Sequence, residues 1–299
     1  MRFKHLDLNL LVALDVLLTE RNVSRAAERL FLSQSATSGA LARLRDYFGD
    51  DLLVQVGRKM VLTPRAQALA SKVRAVLMQI DGTIIQPPEF DPATVERTIR
   101  ILASDYVVIA ELDKAVRAIH RKAPRLTLVI EPPKLDPVTA LSHGDVDLLA
   151  MPDVYLSEEH PSVPYFRDEY VVIACQNNRF LGETISREEF FEARHVVMRF
   201  ANHTPTFEGW FTKNAGAERK LAAVCGGFAA VPFLIAGTDN IALVQGRLAR
   251  AFQQMLPIRI LPPPIDIPPL VEHLQWHAFS EGDDCLNWVR QEILAARQS

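Results

Sequence analysis

The chain has 299 residues, about two domains' worth at ~150 residues each, with 48% hydrophobic and 23% charged residues. That composition excludes a disordered chain, a collagen-like fibre and a disulfide scaffold. No run reaches the ~18 uninterrupted apolar residues of a membrane helix, since the richest stretch, Gly227 to Gly237, is short and carries Pro232. The net charge of −3 hides an asymmetry between a basic N-terminal piece, residues 1–86, and an acidic remainder. A basic head on an acidic body suggests one module for a polyanion and another for something else. Cys175, Cys225 and Cys285 lack CxxC spacing, which argues against a zinc site or disulfide framework and for free thiols in a reducing cytosol.

Leu6, Leu10, Leu14, Leu17 and Leu18 recur at helical spacing behind Asp7, a suitable N-cap. Asp7, Asn9 and Asp15 interrupt the leucines, so the segment reads as an amphipathic helix and not as a secretory leader. Ser24 is the expected cap of a second, short helix with Ala26, Ala27 and Leu30 inward. Ser33 is the expected cap of a third, running to about Phe48 and stopped at Gly49. Two helices joined that tightly form a helix-turn-helix pattern. On a helical wheel, Gln34, Ser35, Ser38, Ala42 and Arg45 share one face of the third helix, and Ala36, Ala40, Leu44 and Tyr47 the other. Short polar side chains at a helix N-terminus can reach base edges, and the free N–H groups favour phosphate.

Leu52 to Leu62 alternates around Gly57-Arg58-Lys59 and predicts a β-hairpin with a basic tip, suited to backbone phosphate. Thr63-Pro64 is a strong helix start. The helix it opens, to about Ile85, carries Leu69, Val73, Val76, Leu77, Ile80 and Ile84 on one stripe. A long helix with a single apolar seam wants a partner, and a second copy of the chain is the simplest one; packing on its own domain is the alternative. The proline-rich stretch Gln86 to Pro92 then marks a boundary.

From Arg97 the pattern alternates. Strands are expected at Thr98–Ala103, Leu126–Ile130, Val146–Ala150, Val171–Cys175, Val196–Met198 and Ile241–Val244. Helices are expected between them, as at Val107 to Arg121 and Pro205 to Asn214, and a final helix runs from Asp284 to about Ala296. This predicts a mostly parallel sheet with helices on both faces. The prolines at Pro161–Pro164, Pro262–Pro264 and Pro268–Pro269 suggest two lobes joined by two crossings, with a cleft between them.

The motifs Ser24-Arg25-Ala26-Ala27-Glu28-Arg29-Leu30, Leu32 to Ser38, Leu41 to Leu44 and Leu62-Thr63-Pro64-Arg65-Ala66 resemble the winged helix-turn-helix of LysR-type transcriptional regulators. The resemblance extends over nearly the whole chain. Asp7 to Asp15, Thr19 to Asn22, Arg45 to Phe48, Ser104-Asp105, Gly144 to Asp147, Pro152 to Val154, Gly237-Thr238-Asp239 and Gln275-Trp276 are similar to the nodulation-gene activators of that family. The regulators of naphthalene and salicylate degradation share part of the pattern, including Trp276-His277.

That resemblance implies an α/β chain of three parts: a winged helix-turn-helix DNA-binding domain over 1–62, a linker and dimerisation helix over 63–86, and a two-lobed effector domain over 87–299 like type 2 periplasmic binding proteins. Lobe I would comprise about 93–162 and 268–299, and lobe II about 163–267. It implies double-stranded promoter DNA and RNA polymerase as partners, a homodimer through residues 63–85 and a homotetramer built from it, and a small aromatic inducer. It implies no membrane partner, no cofactor and no metal. Ser33, Gln34, Ser35, Ser38 and Arg45 would serve the DNA-facing helix, and Arg43, Arg58 and Lys59 would hold backbone. Gly39 replaces a larger, often base-contacting residue, and costs about 1 kcal/mol of helix propensity relative to Ala. Histidines line part of the pocket in the salicylate-responsive relatives; the counterparts here are Asp168 and Pro205, with His203 nearby.

For the effector site, Ser104, Asp105 and Tyr106 follow a strand and open a helix, where backbone N–H groups bind a polar ligand tip. Asn202 and His203 stand at the equivalent corner of the second lobe. Phe166, Phe200, Phe228 and Phe233 are candidate apolar walls. An enzyme is disfavoured because the chain has no GxGxxG, P-loop, GxSxG or HExxH. A DNA binder with a vestigial cleft is the remaining alternative.

Overall fold

The structure, a computed structural model, describes residues 7–57, 59–83, 90–133, 136–200, 206–214 and 218–297. The chain divides into two compact units. The first is built on Met1–Glu89 with the short segments Ser142–Asp145 and Phe279–Asp284, and the second on Phe90–Leu141, Val146–Ala278 and Cys285–Ser299.

The first unit begins with α1 (Leu8–Glu20), whose N-cap Asp7 accepts a hydrogen bond from the Asn9 amide at 2.9 Å. Helix α2 (Val23–Leu30) is capped by Asn22, whose Oδ1 accepts from Arg25 N at 3.1 Å. The expected cap, Ser24, therefore lies inside the first turn, because the extended backbone at Asn22 already places a side-chain acceptor over the free amides. The helix ends at Phe31 in the left-handed region, φ 55°, and that turn leads directly into α3 (Gln34–Phe48). Ser33 caps α3 by accepting from Ala36 N at 3.1 Å, and Gly49, φ 58°, ends it.

The face that α3 buries is Thr37, Ala40, Leu41 and Leu44, rotated from the face expected from the sequence. Ala36 and Tyr47 are exposed. Thr37 can point inward because its hydroxyl donates to Ser33 O at 3.1 Å, which satisfies the polar atom within the helix. Ala40, Leu41 and Leu44 join Leu10, Leu14 and Leu17 of α1 and Ala26 of α2 in one core.

Strands β1 (Leu53–Val56) and β2 (Lys59–Leu62) pair antiparallel, with Leu53 opposite Leu62 and Val56 opposite Lys59. Gly57 turns the hairpin at φ 63°, where a side chain would be strained. Thr63 donates to Asp50 at 2.6 Å and accepts from Ala66 N at 3.1 Å, opening α4 (Pro64–Thr83). The apolar stripe of α4 divides. Leu69, Val73 and Leu77 pack into the core of their own unit, whereas Val76 is 45% exposed.

Among its described residues, the second unit holds two five-stranded sheets. The first contains β3 (Thr98–Ala103), β4 (Thr127–Glu131), β5 (Leu148–Pro152), β6 (Ser162–Asp168) and β12 (Leu270–Trp276), in the order β4-β3-β5-β12-β6. The second contains β7 (Tyr170–Cys175), β8 (Arg194–Met198), β9 (Lys220–Cys225), β10 (Ile241–Gln245) and β11 (Ile258–Leu261), in the order β11-β7-β10-β8-β9. Both sheets are mixed, not mostly parallel: β12 runs antiparallel to β5 and β6, and β7 antiparallel to β10 and β11. Antiparallel strands arise where the chain crosses between lobes and returns. Because β6 belongs to the first sheet, the first crossing falls at Asp168 to Tyr170 and not near residue 163.

The helical segment after β3 is continuous from α5 (Asp105–Val107) through a π turn (Val108–Leu112) to α6 (Asp113–Lys122). A π turn accommodates an extra residue and often marks a functional position. The remaining helices are α7 (Pro137–Ser142), α8 (Arg187–Glu192), α9 (Phe207–Asn214), α10 (Val231–Ile235), α11 (Gly246–Gln253) and α12 (Asp284–Ala296). No helix among the described residues is long and apolar enough to cross a membrane.

Candidate nucleic-acid interface and effector cavity

In the first unit, Gln34, Ser35, Ser38 and Arg43 are all exposed on α3. Relative to the true buried stripe, Arg43 belongs to the outward face. Ser33 combines exposure with capping, and its hydroxyl lies 3.0 Å from that of Ser35. Arg45 points elsewhere: its guanidinium donates to Asp51 O at 2.8 Å and Leu53 O at 2.7 Å. It therefore pins the start of the hairpin to α3 and sets the wing's position relative to the helix. Lys59 is exposed at the start of β2, while Arg58 lies outside the described residues. The outer surface of α3 thus pairs small polar side chains with the unsatisfied amides and positive dipole of a helix N-terminus.

In the second unit, a cavity of about 280 Å³ is lined by residues of both sheets and their loops. Of the residues expected there, Ser104, Tyr106, Phe200 and Phe228 line it. Three others stand elsewhere. The Asp105 carboxylate accepts from Phe228 N at 3.2 Å and Ala229 N at 2.8 Å, so it caps the turn after Gly227 and clasps the lobes together. Phe166 is buried against Tyr106, ring centroids 6.0 Å apart, with the Arg247 guanidinium over its ring at 5.0 Å. Phe233 is 60% exposed on α10 and packs against Phe252. Asn202 and His203 lie outside the described residues.

Tyr106 donates its hydroxyl to the buried Asp168 at 2.8 Å, and Arg247 N donates to the same carboxylate at 3.0 Å. Burial raises the Asp168 pKa, and these hydrogen bonds oppose the rise. Asp168 closes β6 at the crossing, so this network joins the first sheet to α11 of the second lobe.

The cavity also has walls that the sequence reading did not name: Met151, Tyr155, Tyr170, Phe207, Glu208, Gln245 and Glu272 among them. Glu272 is 2% exposed. Burial, reinforced by Asp168 and Asp153, pushes its pKa up to about 8. Burial likewise raises the Glu208 carboxyl, against a hydrogen bond from Thr206 and the charge of Arg219. The signal for Glu272 was present in the sequence: it sits in phase with Leu270 and Leu274 on β12, a charged residue on an inward position of an apolar strand. Among the described residues no group of His, Cys, Asp or Glu could hold a metal ion.

Residues 8–67 match the family model described as bacterial regulatory helix-turn-helix protein, lysR family, and residues 92–298 match the LysR substrate binding domain. The chain belongs to the LysR family. Nodulation protein D 2 of Rhizobium leguminosarum bv. phaseoli is 40% identical over 300 residues, covering 100% of this chain and 94% of that protein. The crystal structure of a probable transcriptional regulator from Pseudomonas aeruginosa is similar with a TM-score of 0.66 at 30% identity, covering 99% of this chain and 98% of that one. Full-length CbnR, crystallised with its target DNA, shares the fold at a TM-score of 0.53 and 16% identity, covering 97% and 99% of the two chains. This LysR-type protein is therefore a DNA-binding transcriptional regulator and not an enzyme.

Proposed function

We propose that this regulator holds promoter DNA through the outer face of α3 and the hairpin tip, as a homodimer joined along residues 63–85 and assembled further into a homotetramer. In this reading the chain parts into a DNA-binding domain over 1–62, a linker helix over 63–86 and an effector domain over 87–299. A small aromatic effector enters the cavity of the effector domain and changes how the oligomer grips DNA. The protein then acts with RNA polymerase in the cytoplasm as an activator of genes for aromatic-compound responses. Gln34, Ser35 and Ser38 read bases, and Arg43, Arg58 and Lys59 neutralise phosphate. Ser104, Tyr106, Phe200 and Phe228 contact the effector, together with Asn202 and His203.

The observation that carries this reading is the cavity of about 280 Å³ walled by Tyr106, Tyr155, Tyr170, Phe200, Phe207 and Phe228. Aromatic walls around a few fixed polar groups suit an aromatic ligand. The likeness to Nodulation protein D and the DNA complex of CbnR support the same assignment. The Tyr106–Asp168–Arg247 network gives the cavity a route to lobe movement, because it ties a cavity-lining phenol to the crossing between the sheets.

Fluorescence anisotropy with the promoter fragment upstream of the protein's own gene tests the reading, with calorimetric titration of an aromatic panel alongside it. The expected result is specific DNA binding whose affinity or bend angle changes with at least one aromatic compound. DNA binding that is indifferent to every panel member, with no heat of binding, would leave a regulator with a vestigial cleft.

A further inference from the structure

Three oxygen atoms in the cavity wall are buried and receive no hydrogen bond among the described residues: Glu272 Oε2, Gln245 Oε1 and Glu208 Oε2. They come from three different elements, β12, β10 and α9. Glu272 and Gln245 are each only 2% exposed. A buried acceptor left unpaired destabilises the fold by about 1–3 kcal/mol, so three of them in one place describe a site made to meet donors. No lysine or arginine lies among the described lining residues. The charged and titratable groups around Glu272 and its cavity include Asp168 of β6, Asp153 after β5, the lining Tyr106, Tyr155, Tyr170, Asp136 and Glu208, and Arg219, whose charge acts on Glu208. The guanidinium groups of the two arginines near Asp168 are engaged, that of Arg247 by Glu111 and that of Arg250 by Asp168 and Glu169.

We propose that Glu272 is the specificity-determining residue of the cavity: it receives an N–H or O–H donor from a non-anionic effector head and excludes effectors that bear a carboxylate. The assignment rests on the effector reading above and names the chemistry of that ligand. A carboxylate placed here would lose its water with no lysine or arginine among the described lining residues to pair it, beside the carboxyl groups of Glu272 and Glu208. A protonated amine or a phenolic hydroxyl would instead satisfy Glu272 Oε2, with the aromatic walls covering the rest of the ligand and stabilising a cation further. The two heads differ in linkage. Empty, Glu272 holds its proton through neutral pH. An ammonium binds its ionised form, so amine affinity rises with pH, whereas a neutral phenol binds with little pH dependence.

Ligand-observed NMR on the full-length protein, with benzylamine, phenol and benzoate as probes at millimolar concentration, tests the proposal. Expected is binding of benzylamine or phenol and none of benzoate. If benzylamine is the binder, its affinity should rise about tenfold or more from pH 6 to pH 8. Glu272→Gln should weaken amine binding at least tenfold, flatten that pH profile and admit benzoate. Glu272→Leu, which keeps the volume and removes the acceptor, serves should the glutamine variant fail to fold. Benzoate binding to the wild type as well as the donors do overturns the role of Glu272 and leaves the effector reading standing. Silence of all three probes overturns both.

Discussion

Single side chains of this regulator answer to different physics. Gln34 is exposed on the first turn of α3 and carries an amide, which can pair bidentately with one base. Gln34→Ala should weaken operator binding by about 1–3 kcal/mol and leave binding to random DNA nearly unchanged; equal losses on both duplexes in anisotropy titrations would remove Gln34 from the base-reading set. His195 is a residue of the opposite kind. It is fully buried on β8, its Nε2 bonded to Phe190 O at 2.6 Å, and burial lowers its pKa to about 4 despite that bond. Its unfolded value is about 6.5, so the depressed group favours the fold above pH 6.5, and that contribution is lost as pH falls from 6.5 towards 4. The loss amounts to at most about 3 kcal/mol. Urea melts at pH 7, 5 and 4 should show it, and His195→Gln should reduce the difference between pH 7 and pH 4; an identical acid dependence in the variant would place the lability elsewhere.

At the scale of elements, periodicity and caps were readable wherever local chemistry decides. Ser33 before α3, Gly49 after it and Thr63-Pro64 before α4 are local signals, and each stands where it was expected. The rotation of α3 was not readable. Ala36 and Thr37 are both small, and only the approach of the neighbouring helices buries Thr37 and leaves Ala36 outside. The stripe of α4 shows the same limit. Its sequence has one apolar seam, but the fold uses Leu69, Val73 and Leu77 internally and leaves Val76 for another surface. If two copies meet along α4, Val76→Asp should turn the dimer into monomer in sedimentation while changing unfolding free energy by less than about 1 kcal/mol. A variant that sediments like the wild type would move the contact off this face. The candidate cavity was half legible: Ser104 and Tyr106 follow from their place between a strand and a helix, whereas Glu208 and Gln245 reach the cavity only because separate elements converge there.

For the molecule as a whole, the charge asymmetry sets the expected response to salt. Each phosphate contact releases counterions, so the slope of log affinity against log salt counts the contacts. Lys59, exposed at the hairpin tip, should count as one. Lys59→Ala should weaken specific and nonspecific binding alike and lower the slope by about one, which titrations at several salt concentrations would show; an unchanged slope would free Lys59 from that role.

The order of residues alone was enough to establish the family, the helix-turn-helix with the Ser33 and Gly49 caps of its second helix, and the alternation of strands and helices in the larger unit, because each depends on neighbours a few positions apart. Folding in three dimensions decided which expected residues reach the cavity. Asp105 turns to the amides of Phe228 and Ala229, Phe166 packs against Tyr106, and Glu272 and Gln245 arrive from strands of two different sheets. A side chain's hydrogen-bond partners and its solvent are set by segments far away in sequence, and no local pattern encodes them.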